Sequence, residues 1–194
     1  MDILTLRGYR ITTGESLGGH ISSKFRLGQV LSRLEIGNLL TPDVLCLIEN
    51  FRALLSRSKV RFSFSPDTGK FVVVQNNQRF TFPHHQRGFG LYRNGVEKRG
   101  ADIFESYCLT NLVFKPGDVV VDCGANYGDL TIKLSELSNE ITYIGIEPSP
   151  LEFEALISNS LLQDSILINK AMGDSESKMK FYISSETGDS SLVR

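Results

Sequence analysis

An α/β fold with a parallel sheet is what this 194-residue sequence predicts, and three features predict it. Val119, Val120 and Val121 form a β-branched run launched by the turn at Pro116-Gly117, the pattern of a strand covered on both faces. That run passes into a glycine-rich loop, Asp122-Cys-Gly124-Ala125-Asn126-Tyr-Gly128, and then into the helical apolar spacing of Leu130, Ile132, Leu134 and Leu137. A second short apolar run, Thr142-Tyr-Ile-Gly-Ile, ends in Glu147. Strand, loop, helix, strand, acid is the minimal Rossmann-like βαβ unit that binds a nucleoside at its strand tips. The expected organisation is a helical and β-meander extension over residues 1–110 and the α/β domain over residues 111–194.

In chain order, residues 1–20 show little periodicity, and residues 21–40 have loosely helical spacing at Phe25, Val30, Leu31 and Leu34. Thr41 as N-cap and Pro42 at the first helical position predict a helix. Its Val44, Leu47, Ile48, Phe51, Leu54 and Leu55 recur every three or four residues, and the stripe is expected to face the core. From Val60 the period drops to two. Three strands follow, over Val60–Phe64, Phe71–Val74 and Arg79–Phe82, with turns at Ser65–Gly69 and Asn76-Asn77. Residues 83–100 read as a loop rich in Gly, His and Arg, and Ala101–Leu112 as a helix leading into the valine strand. After Glu147 the expected elements are a helix bearing Leu151, Phe153, Leu156, Ile157 and Leu161, a strand at Ile166–Asn169, and a fourth strand at Met179–Ile183.

Composition removes several classes. Apolar residues make up 41% and charged residues 22%, as in a globular protein, and no run of 18 apolar residues offers a transmembrane helix. The N-terminus lacks a long apolar segment, so no secretory leader is expected. Cys46, Cys108 and Cys123 are too scattered for a disulfide framework or a metal-ligand cluster, and with no third ligand near the adjacent His84 and His85 no metal is expected. A reducing, cytoplasmic setting fits. Charge is uneven: residues 1–100 hold 15 Lys and Arg against 7 Asp and Glu, and residues 101–194 hold 6 against 15, giving +8 and −9 for a net −1. The basic half either meets an anionic partner or is a solvated face docked on the acidic half, and the second is the expectation, without nucleic acid as a partner.

The loop's chemistry turns on Asp122. A dinucleotide loop, Gly-x-Gly-x-x-Gly, cradles pyrophosphate on backbone N–H groups. Here the spacing is Asp-x-Gly-x-Asn-x-Gly, and a carboxylate at the strand tip repels pyrophosphate but suits an ammonium. Gly124 and Gly128 allow close backbone approach, and Asn126 tolerates a left-handed conformation. Glu147, nineteen residues beyond Gly128, is at the offset of an acid that accepts both hydroxyls of a ribose. The plainer roles are a strand-end cap for Asp122 and a helix N-terminal acid for Glu147. Cys123 is read as packing, Tyr127 as packing or cover for the cofactor, and no catalytic residue is assigned.

The segment Asp122-Cys-Gly124-Ala125-Asn126-Tyr-Gly128 resembles the Asp-x-Gly-Ala-Asn-x-Gly motif of FkbM-type methyltransferases. Glu147-Pro148-Ser-Pro150 is similar to their Glu-Pro-x-Pro segment, and Ala171-Met-Gly-Asp174 and Gly188-Asp-Ser190-Ser191-Leu192 look like later family motifs in the same order. The resemblance covers residues 118–192 best. It implies a class I methyltransferase fold, S-adenosyl-L-methionine as cofactor, contacts from Ala125 and Pro148, and O-methylation of a small-molecule or saccharide acceptor. By analogy with the fold, Lys170 and Ala171 lie near the adenine. Against this pattern the chain is expected to be a fragment, C-terminally incomplete, with an unpaired sheet edge that favours a homodimer. Two other readings are an NAD-dependent oxidoreductase, disfavoured by Asp122 and Asn126, and a truncated, non-catalytic nucleoside-binding fragment.

Overall fold

The computed structural model describes residues 40–137 and 140–173. The expectations for residues 1–39, for the fourth strand at Met179–Ile183 and for the motifs from Asp174 onward lie outside the described residues. The rest is a mixed α/β structure with two three-stranded sheets, one antiparallel and one parallel. Among the described residues no helix is long and apolar enough to cross a membrane.

The meander forms as its alternation requires. Strands β1 (Arg61–Ser65), β2 (Lys70–Gln75) and β3 (Gln78–Phe82) pair antiparallel in the order β1-β2-β3. The β2–β3 link is the two-residue turn Asn76-Asn77, with φ of 49° and 66°, conformations that asparagine tolerates better than most residues. One face of the meander carries Phe62, Phe71, Phe80 and Phe82 into a buried aromatic core.

Helix α1 (Pro42–Leu55) starts where expected, but it is turned the other way. Leu47 is 69% exposed and Leu54 70%, and Val44, Ile48, Phe51 and Leu55 are exposed with them. The inward face is Cys46, Glu49, Asn50 and Ala53. The reason is polar. The Asn50 side chain accepts from the Phe62 backbone N–H at 2.7 Å and donates to the Phe62 carbonyl at 2.9 Å, completing the free edge of β1. Buried Glu49 binds Arg52 and Arg93. Buried backbone groups and charges must be satisfied, and these polar contacts fix which face of the helix turns inward. Burial, with Asp43 and Glu49 nearby, pushes the Cys46 thiol up to about 11.

Residues 83–100, expected as a loop, instead contain helix α2 (His85–Tyr92) and the start of helix α3 (Val96–Ser106). Two of the glycines that suggested a loop, Gly88 and Gly100, are helical residues at close contacts. A Cβ on Gly88 would stand 1.9 Å from Cδ2 of Phe82, and one on Gly100 would stand 2.7 Å from Ile132. A 3₁₀ turn at Leu109–Asn111 then ends the helical stretch expected to reach Leu112.

The parallel sheet contains β4 (Val119–Cys123), β5 (Thr142–Ile146) and β6 (Ser165–Ile168), in that order. Helices α4 (Asp129–Leu137) and α5 (Pro150–Asn159) are the crossovers. Both bring apolar residues to the face of Val120, Tyr143 and Leu167, as two right-handed crossovers in sequential strand order require. Among the described residues the valine strand is therefore covered on one face. Val119 is 56% exposed and Val121 52%, and β4 is an edge strand among the described residues.

The meander and the parallel layer share packing. Asn159, buried at the end of α5, accepts from the Thr81 N–H at 2.7 Å and donates to the carbonyls of Thr81 and Tyr127. One side chain thus ties together β3, the glycine loop and α5. Tyr127, Ile132 and Ala155 join the aromatic core of the meander, which fixes α2 and α3 over the strand tips.

Candidate functional site

A cavity of about 260 Å³ opens at the C-terminal tips of β4 and β5. Of the residues singled out in the sequence, it brings together Asp122, Gly124, Ala125, Asn126, Glu147 and Pro148. Gly128, Lys170 and Ala171 are not in its lining, and Lys170 and Ala171 are exposed beyond β6.

Asp122 points from β4 to the covered face and is buried. Its neighbour across the sheet is Gly145. The Tyr143 ring lies where a Gly145 side chain would stand, with Tyr143 Cε1 2.8 Å from the site of such a Cβ. Tyr143 therefore reaches along β5 and donates its hydroxyl proton to Asp122 Oδ2 at 2.8 Å. One carboxylate oxygen is fixed by that bond, and capacity remains on the other. Burial raises the Asp122 pKa above its ordinary 3.8, Tyr143 opposes the rise, and the charge of Asp129 adds to it. The Tyr143 phenol is driven far above its usual range, first by burial and then by Asp122.

Glu147 follows β5 and holds the loop closed. Its Oε2 accepts from the Asn126 N–H at 2.9 Å and its Oε1 from the Ser149 N–H at 2.8 Å. Each oxygen keeps a further lone pair. Burial raises the Glu147 pKa above its ordinary 4.5, the two N–H bonds oppose that, and Glu152 adds to it. Asn169, just past β6, donates to the carbonyls of Glu147 and Pro148, so the third strand tip also braces this turn.

The loop's backbone explains its composition. Gly124 has φ +86°, and no heavy atom lies within 4 Å of the place its Cβ would take. Asn126 has φ 50°, and its buried side-chain Oδ1 has no hydrogen-bond partner. At Gly128, with φ +84°, a Cβ would stand 2.9 Å from Leu156 Cδ1, so its bareness seats the loop on α5.

The sequence reading missed four wall residues with charge. Asp129, buried at the start of α4, accepts from the Tyr92 hydroxyl on one oxygen and from Arg99 Nε at 2.7 Å on the other. Arg87 lines the cavity from α2, with its guanidinium carbon 5.4 Å from the centre of the Tyr127 ring. Glu152, buried, accepts from the Ser149 hydroxyl and lies 3.2 Å from His84. The partners of Asp129, Arg99 and Arg87 are distant in sequence, so no local spacing points to them, whereas Ser149-x-x-Glu152 is a local capping-box spacing that points to Glu152. The near signal is Asp129 itself, an acid in the first turn after a glycine loop. Among the described residues no three His, Cys, Asp or Glu side chains stand together as a metal site.

No protein-family model matches this chain, and no curated protein sequence matches it. Among solved structures, TYW2 of Pyrococcus horikoshii in complex with MeSAdo is 19% identical with a TM-score of 0.38, over 72% of this chain and 50% of that one. PH0793 of Pyrococcus horikoshii, provisionally assigned as a transferase, is 19% identical with a TM-score of 0.39, over 76% and 63%. The chain thus spans half the length of the first and less than two thirds of the second. Likeness this slight carries no inference about the site.

Proposed function

We propose that this chain is an S-adenosylmethionine-dependent methyltransferase of FkbM type, acting on a hydroxyl of a sugar or secondary metabolite. One observation carries the reading: the cavity is rich in acceptors and negative charge. Asp122 and Glu147 line it with unused acceptor capacity, the unpartnered Asn126 Oδ1 is buried beside them, and Asp129 and Glu152 add carboxylates. Such a wall suits a ligand that brings hydrogen-bond donors and positive charge, and it opposes a pyrophosphate, which brings acceptors and negative charge. The open space at Gly124 fits a ligand lying against bare backbone.

When bound, S-adenosylmethionine supplies a methyl group from its sulfonium and leaves a neutral thioether. In this reading Asp122 holds the ammonium with the oxygen that Tyr143 does not use. Glu147 accepts the two ribose hydroxyls with the lone pairs that Asn126 and Ser149 leave free. Pro148, with Lys170 and Ala171 past β6, borders the adenine. The chain's contribution to rate is then positioning, which is large when a good leaving group needs no covalent help.

Calorimetry with S-adenosylhomocysteine and with NAD tests the reading. The expected result is binding of the former alone, lost in both Asp122→Ala and Glu147→Ala. Affinity for NAD, or undiminished affinity in both variants, would overturn it. Transfer of labelled methyl to a panel of sugar hydroxyls then tests the acceptor class.

A further inference from the structure

Resting on the function proposed above, we infer that Arg99 binds the carboxylate of the cofactor's amino-acid end, so that the zwitterion is held between Asp122 and Arg99. S-adenosylmethionine carries a single anionic group, that carboxylate, and the cavity presents four carboxylates of its own, Asp122, Asp129, Glu147 and Glu152. A guanidinium is the strongest partner for it, and the lining contains two, Arg87 and Arg99.

The two guanidiniums serve different parts of the cavity. Arg87 lies against Tyr127, and its charge bears on Glu147, the residue assigned to the ribose. Arg99 is bound at 2.7 Å to Asp129, which lines the same cavity as Asp122 and whose charge bears on it.

The fold also aims Arg99. The absent side chain at Gly100 lets α3 lie directly on Ile132 of α4, which sets the next residue back, Arg99, beside the start of α4. There Arg99 Nε binds Asp129 Oδ2 at 2.7 Å, and Tyr92 holds the other oxygen of Asp129. The guanidinium is thus fixed by one edge, with the side chain about one-fifth exposed. Its terminal nitrogens make no hydrogen bond or second ion pair among the described residues. A guanidinium held by Nε still offers its two terminal N–H groups as a fork that matches a carboxylate. Asp129 and Tyr92 are positioning residues in this arrangement.

The test compares S-adenosylhomocysteine, which has the amino-acid end, with 5′-methylthioadenosine, which lacks it, by calorimetry on the full chain. Arg99→Gln is expected to weaken S-adenosylhomocysteine by about 10- to 100-fold, the range for losing a charge-assisted pair, and to leave 5′-methylthioadenosine unchanged. Because that variant leaves Asp129 buried without its cation, Arg99→Lys is measured beside it. Arg99→Lys keeps the charge but not the fork, and a smaller loss, again confined to S-adenosylhomocysteine, is expected. Tyr92→Phe should give the same selective loss in weaker form. Equal losses for both nucleosides would reduce Arg99 to a structural ion pair and overturn the inference, as would no loss for either. A selective loss in Arg87→Gln with none in the Arg99 variants would overturn it in favour of Arg87. Wild-type chain that binds neither nucleoside would overturn the proposed function and this inference with it.

Discussion

Replacing Asp122 by asparagine is expected to strengthen the fold while removing the ligand. Asparagine keeps the shape, and its Oδ1 can still accept from Tyr143, now at 2.8 Å from the carboxylate. What is lost is the charge. In the native chain burial raises the Asp122 pKa above 3.8, so the folded protein holds a proton there more tightly than the unfolded one. Stability from this group is fully present below its unfolded pKa and is lost as pH rises through the folded value. At neutral pH the ionised carboxylate is therefore a cost, which Asp122→Asn removes. The variant should melt above wild type at pH 7, by a margin that closes as pH falls toward 4, because the wild-type carboxyl is then protonated too. Binding should move the other way. Removing one partner of a buried charge pair costs about 2–5 kcal/mol, roughly 30-fold or more in the Kd for S-adenosylhomocysteine. Wild-type affinity should also rise with pH through the same window, as the carboxylate ionises to receive the ammonium. Thermal melts and calorimetry at several pH values read both effects. A variant less stable than wild type at pH 7, or one that keeps its affinity, would show that Asp122 is a structural cap and not a ligand for a cation.

This trade of stability for charge also separates what was readable in the sequence from what was not. The strand–loop–helix–strand unit was legible because its signals are local: a valine run, positive-φ residues at Gly124, Asn126 and Gly128, and an acid after the second strand. Six of the nine residues named for the site meet at one cavity. The misreadings share a cause. Helix α1 was oriented by hydrophobic period, but its direction is set by Asn50 and Glu49, whose partners Phe62 and Arg93 lie on other elements. Residues 83–100 were read by glycine content, but Gly88 and Gly100 are bare because Phe82 and Ile132 occupy the space. The valine run gave a strand but could not say how many of its faces are covered, since that depends on the side to which both crossovers return. The link of Asp129 to Arg99 and Tyr92 was invisible for the same reason: the network joins three helices and exists only after packing.

The contact between Gly88 and Phe82 should produce the largest stability effects, and their sign should depend on background. Phe82 is fully buried, stacked on Phe71 at 5.8 Å and close to Phe89 at 5.7 Å and Tyr92 at 5.6 Å. Phe82→Ala removes that ring and leaves a cavity, at a cost of about 3–5 kcal/mol. Gly88→Ala in the native chain sets two terms against each other. Alanine gains about 1 kcal/mol over glycine inside a helix. Its Cβ, however, would stand 1.9 Å from Phe82 Cδ2 and 2.5 Å from Cγ, atoms of a ring locked among three others. Overpacking of this kind costs about 1–3 kcal/mol and should win, so Gly88→Ala is expected to destabilise. With Phe82 already alanine the obstruction is gone and the helix gain remains, so the same substitution should become neutral or stabilising. Urea denaturation of the four members of the cycle measures the reversal as a coupling between the two sites. Additive losses would mean that α2 moves away from β3 at no extra cost and that the aromatic core does not fix its position. The consequence for the site is direct, because α2 carries Arg87 into the cavity wall and Tyr92 onto Asp129. If the packing holds α2 in place, Gly88→Ala should also weaken S-adenosylhomocysteine while Asp122, Glu147 and the loop are untouched.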